Sequence, residues 1–107
     1  MTHKYVFLVE DRHKKDLDKV LSEDPYADDS FVKAGAVTRS STALGLKGGH
    51  TVVYFKSEDA NIGNRLKERM SKVPTATEVH GSEKDAIVKK IEEEEEAAAS
   101  GFGSIFG

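Results

Sequence analysis

The sequence predicts an α+β domain, a ferredoxin-like split βαβ sandwich of order β-α-β-β-α-β, with an added C-terminal helix and a flexible tail. Three observations carry that expectation. Residues 5–9 (Tyr-Val-Phe-Leu-Val) and 51–56, with Val52 to Phe55 at their centre, are short and continuously apolar, as strands buried on both faces are. Apolar residues at helical spacing follow each of them. Two weaker strand-like segments carry Lys33, Arg39, Glu78 and His80, a polarity that suits edge positions in a sheet whose first and third strands form the inner pair.

Each element has its own justification. After the first strand, Asp11 is placed to cap a helix whose Leu17, Val20 and Leu21 share one face. Pro25 stops that helix, and residues 25–30 read as an Asp- and Ser-rich turn. Residues 31–39 read as the second strand, with Gly35 as a bulge. Residues 40–49 read as a loop or as a strand broken by Gly45. Ser57 or Asp59 caps a helix carrying Ile62, Leu66, Met70 and Val73, which Pro74 ends. Residues 75–80 alternate as a short fourth strand. Ser82 and Asp85 resemble a capping box before a last helix striped by Ile87, Val88 and Ile91. The two-residue side-chain period is expected to put Val6, Leu8, Val53 and Phe55 on one face of neighbouring central strands. Helices on one face would leave the opposite face open to RNA, a partner or a second copy.

With 107 residues the chain is one domain's worth, divided at residue 91 into an α+β body and a tail over 92–107. It has no cysteine, which excludes disulfides, thiolate metal sites and a cysteine nucleophile. The longest apolar run, residues 5–9, is far below the ~18 residues of a membrane span. Glu10 and Asp11 end it with no cleavage signal. A cytoplasmic protein with no membrane partner is therefore expected.

Charge is unevenly distributed. The five glutamates 92–96 account for five of nineteen acidic residues, so residues 1–91 hold sixteen basic and fourteen acidic groups, a net of +2. Between Lys33 and Lys72 eight basic residues face three acidic ones. Such a basic middle is either a solvated surface or a nucleic-acid footprint. Residues 38–50 gather hydroxyls, glycines and the cations Arg39 and Lys47 with His50, the best set for contacting an anion. They do not form a P-loop, because the Gly-Lys-Ser/Thr ending is missing and a strand follows. With Arg65, Lys67 and Arg69, residues Arg39, Lys47 and His50 are the candidate RNA- or anion-binding residues. The four histidines have no metal-ligand spacing, and the acidic turn 23–29 lacks the pattern of a calcium loop, so no metal or cofactor is expected. No nucleophile–base pair or carboxylate pair emerges, and an enzyme is not expected.

The last sixteen residues are the specific signal: Glu92 to Glu96, Ala97 to Ala99, then Ser-Gly-Phe-Gly-Ser-Ile-Phe-Gly. This segment resembles the C-terminal end of the archaeal acidic ribosomal stalk proteins. The resemblance implies a tail that docks on a translation GTPase. Residues 1–91 resemble that family nowhere. Independently of the family, Phe102, Ile105 and Phe106 stand at i, i+3 and i+4, one face of a helix formed on docking. Three apolar side chains at roughly 2 kcal/mol each, set against ~1–2 kcal/mol per ordered residue, support only weak, transient binding. The expected function is thus a non-enzymatic translation- or ribosome-associated protein, monomeric or weakly dimeric. Its rival is a small ligand-binding or regulatory domain.

Overall fold

In the computed structural model the backbone is described for residues 2–106 and side chains for residues 2–97. The elements are β1 (His3–Glu10), α1 (Lys14–Ser22), β2 (Val37–Ser40), β3 (His50–Ser57), α2 (Ala60–Ser71), β4 (Thr77–Glu78) and α3 (Gly81–Phe106). Single 3-10 turns precede α1 (Asp11–His13) and follow β2 (Ser41–Leu44). The four strands form one antiparallel sheet in the order β2-β3-β1-β4. The two apolar strands are therefore the central pair.

The pairing register assigns the faces. Tyr5 lies opposite Phe55 and Phe7 opposite Val53, while Val6 lies opposite Tyr54 and Leu8 opposite Val52. Directly opposed residues share a face. Val53 and Phe55 are thus on the other face from Val6 and Leu8, correcting the expected grouping. The period was right, but the register between the strands is set by pairing that neither strand's own pattern contains. Tyr5, Phe7, Val9, Val53 and Phe55 pack against Leu17 of α1, Leu66 and Met70 of α2, and Phe31. Val6, Val52 and Tyr54 pack against Ile87, Val88 and Ile91 of α3, with Leu44.

The open second face expected from the sequence is absent, because α3 covers it. The molecule has three layers, α1 and α2 on one side of the sheet and α3 on the other. Tyr54 and Phe55 are both buried, one under each layer.

Local chemistry explains the other departures. Of the second strand expected over residues 31–39, only 37–39 pair with β3, and Ser40 extends the pairing beyond it. Phe31 is instead drawn into the core, and its carbonyl accepts the Ala36 N–H at 3.0 Å. Gly35 turns the chain there at φ +66°. Buried Ser30 secures that turn, its hydroxyl accepting from Lys33 N–H (3.1 Å) and donating to Pro25 O (3.3 Å). Asp11 does not cap α1, since its carboxylate accepts from the Thr51 hydroxyl at 2.9 Å. Asp59 does cap α2, accepting from the N–H groups of Asn61 (2.7 Å) and Ile62 (3.3 Å). β4 shrinks to two residues, and α3 begins at Gly81 (φ +68°), one residue ahead of the expected Ser82 start. α3 passes through the boundary drawn at residue 91 without a break. Among the described residues no helix is long and apolar enough to cross a membrane.

Candidate functional site

β1 and β2 both run antiparallel to β3, so the ends of β1 and β2 meet the start of β3 at one edge of the sheet. The anion-contact segment, residues 38–50, lies here as a packed connection. Leu44 is fully buried, and Lys90 Nζ of α3 donates to its carbonyl at 2.6 Å. Ser41 is buried, its hydroxyl donating to Lys47 O at 2.7 Å. The hydroxyls of Ser40 and Thr42 bond one another at 2.9 Å. Much of the polar inventory that marked this segment thus holds the connection together.

Two openings remain at this edge, on opposite sides of the sheet. On the α1 side a cleft of about 510 Å³ is lined by Asp11, Lys14, Thr38, Arg39, Ser40 and Thr51. On the α3 side a cavity of about 160 Å³ is lined by Leu8, Ser41, Leu46, Lys47, His50 and Glu83. Lys47 and His50 are therefore brought together.

The other candidate residues lie apart from that pair. Arg39 Nε donates to Glu94 of α3 at 3.2 Å, and its Nη1 to Thr38 O at 2.9 Å. Arg65, Lys67 and Arg69 lie on α2, in the opposite layer from α3. Arg65 is exposed. Lys67 pairs with Glu78 at 3.3 Å and lies 5.8 Å from the centre of the Tyr5 ring. Arg69 pairs with Asp24 at 3.4 Å and Asp29 at 3.9 Å. The basic middle is a sequence cluster that the fold divides between two layers. Phe102, Ile105 and Phe106 stand on the backbone of α3, and their side chains lie outside the described residues.

The acidic run has a role in the folded domain that its sequence does not announce. Glu92 accepts from the Tyr54 hydroxyl at 3.1 Å and pairs with Lys4 Nζ at 3.1 Å. Glu94 pairs with Arg39, while Glu93, Glu95 and Glu96 are exposed. Spacing is the reason: positions two apart on a helix diverge, so Glu92 reaches β1 and β3 while Glu94 reaches edge strand β2. The hydrogen bond from Lys4 holds the Glu92 carboxyl below the ordinary value of 4.5, against an opposing effect of burial. Burial, and then the hydrogen bond to Glu92, push the Tyr54 phenol well above its ordinary value of 10.

These shifts have opposite signs in pH. Glu92 stabilises the fold above 4.5, and its contribution disappears as pH falls through its lowered native value. Tyr54 stabilises the fold below 10 and loses that contribution as pH rises further. Urea midpoints followed from neutral to acid pH should decline less steeply in Glu92→Gln than in the unaltered protein. Equal declines would mean that Glu92 is not held by Lys4 and Tyr54.

Comparison of the chain with protein-family models, curated proteins and solved structures returned no match. Reasoning from the sequence alone missed Lys4, Tyr54 and Glu83. The available signal was the continuously apolar composition of β3, which required cover on both sides of the sheet and hence a partner for Tyr54 on the face opposite Phe55.

Proposed function

We propose that this chain is a non-enzymatic adaptor of the translation apparatus. Its body contacts RNA or a ribosomal surface, and its stalk-like C-terminal end docks on a translation GTPase. The observation that carries this reading is the way α3 leaves the body. The Glu92 and Glu94 contacts tie the helix to β1, β3 and β2, while Glu93, Glu95 and Glu96 are exposed, with no ion pair among the described residues, and present their charge to a basic partner. The segment bearing Phe102, Ile105 and Phe106 starts from a fixed point on the domain. Within this reading the body belongs with the ferredoxin-like split βαβ sandwiches. The position of β3 between β1 and β2 supports that assignment. The two-residue β4 and the covering helix α3 are departures from the plain form.

For RNA contact, support comes from Lys47, His50 and Arg65, none of which forms an ion pair among the described residues.

The test is a titration of isotope-labelled full-length protein with a translation GTPase, followed by NMR. Signals of Phe102, Ile105 and Phe106 should move selectively. Phe102→Ala combined with Phe106→Ala should abolish the response while leaving the urea midpoint unchanged. No response up to about a millimolar, the weakest affinity consistent with three buried side chains, would refute the docking role. A ribosomal RNA fragment should bind with a salt slope that falls by about 0.7–0.9 in Lys47→Ala. No binding at low salt would remove RNA from the reading.

A further inference from the structure

We infer that the cavity over Leu8 is a binding site for a small aliphatic zwitterion, an α-amino acid with a short branched side chain. The inference stands apart from the tail-docking reading, since the site lies against the beginning of α3 and not its acidic end; it shares Lys47 and His50 with the RNA reading, and Glu83, which RNA contact does not use, separates the two. It starts from an anomaly in β1. Within the apolar run, Tyr5, Val6, Phe7 and Val9 are buried, whereas Leu8 is only partly covered although its strand is central. Its cross-strand partner Val52 is fully buried. The cause is in the sequence of α3. Its apolar cover begins at Ile87, and residues 81–86 are Gly-Ser-Glu-Lys-Asp-Ala, with no apolar side chain larger than alanine to lay over Leu8.

What this leaves is a space of about 160 Å³ with Leu8 and Leu46 as its apolar surface. The Ser41 hydroxyl in its wall is already committed to Lys47 O. The ionisable groups around it are Lys47, His50 and Glu83, and none of them forms an ion pair among the described residues. An apolar floor surrounded by uncommitted groups of both signs matches a ligand with an apolar body and both charges.

Size narrows the class. A cavity of about 150 Å³ holds a molecule of benzene's size, and pockets for drug-sized ligands start at about 300 Å³. A nucleotide does not fit, whereas a branched aliphatic group does, with its charged end at the opening. The carboxylate then faces Lys47 and an N–H of His50, and the ammonium faces Glu83. A ligand bearing only one charge leaves Glu83, or Lys47 and His50, unused.

The experiment titrates the isotope-labelled full chain with L-valine, and separately with isovalerate and isobutylamine, which are valine without its ammonium and without its carboxylate. L-valine should shift the methyl signals of Leu8 and Leu46 and saturate. Each half-ligand should bind at least about tenfold more weakly. Glu83→Gln should weaken L-valine and isobutylamine but not isovalerate, and Lys47→Met should weaken L-valine and isovalerate but not isobutylamine. Both side chains are exposed, so neither change threatens folding. Equal binding of all three probes would reduce the site to an unselective apolar hole and overturn the inference. So would the absence of any saturating shift up to about 10 mM, or shifts confined to the cleft on the α1 side.

Discussion

Replacing Phe55 with alanine is expected to cost about 3–5 kcal/mol, the range for a buried phenylalanine removed from a packed core. Phe55 is the meeting point of the aromatic cluster beneath α1 and α2. It stacks on Tyr5 at 5.1 Å between ring centres and on Phe7 at 6.0 Å, and it meets Phe31 edge-on at 5.2 Å. Aromatic contacts of this kind add ~0.5–1.5 kcal/mol beyond the area they bury. Phe31 depends on Phe55 for more than area. It is held in a turn by single hydrogen bonds, so loss of its partner also loosens residues 25–36. Against a total stability of ~5–15 kcal/mol for a domain, the substitution removes a fifth or more. Urea unfolding should show a midpoint shifted far down with little change in slope. A loss under about 1 kcal/mol would mean that the cluster does not hold the α1–α2 layer to the sheet.

The contrast between Phe55 and the C-terminal phenylalanines shows what was legible in the sequence. Phe55 lies in a continuous apolar run, and that run identified both central strands and their adjacency. Helix spacing identified α1 and α2, and the cap of α2 was narrowed to Ser57 or Asp59, of which the fold uses Asp59. The same run also required both sheet faces to be covered, and the stripe Ile87, Val88, Ile91 was the only uncommitted apolar surface able to do it. The open face assumed from the topology disregarded that requirement. Register was not legible, because whether Val53 opposes Phe7 or Val6 is decided by pairing between strands over forty residues apart. Phe31 was misread because β-propensity cannot distinguish a strand residue from a turn residue anchored in a core. The candidate site was legible only in part. Lys47 and His50 are close in sequence and meet in space, whereas Glu83 and Glu92 reach their places by the path of α3. A glutamate in a run of five has nothing in its local sequence to distinguish the one that meets Tyr54 from the ones that meet water.

Gly63→Ala should destabilise the protein, by up to about 2 kcal/mol, opposite in sign to what helix propensity alone dictates. Gly63 lies inside α2, where exchanging glycine for alanine ordinarily gains about 1 kcal/mol. Here the helix rests directly on β1. A Cβ at position 63 would lie 2.8 and 2.9 Å from Cζ and Cε2 of the Tyr5 ring, with the Tyr5 hydroxyl closer still. The ring cannot swing aside cheaply, because it stacks on Phe55 at 5.1 Å while Lys67 lies against it at 5.8 Å. Relief must come from moving α2 away from the sheet, which loosens Leu66 and Met70 on the same face. Overpacking of this kind costs ~1–3 kcal/mol, more than the propensity gain. Coupling with Tyr5→Phe provides the decisive measurement. Removing the hydroxyl takes away the nearest obstruction but not the ring carbons. The cost of Gly63→Ala should therefore fall in the Tyr5→Phe background without vanishing, leaving a coupling energy of ~0.5 kcal/mol or more. A stabilised Gly63→Ala protein, or strict additivity of the two changes, would show that α2 is not seated on the Tyr5 ring.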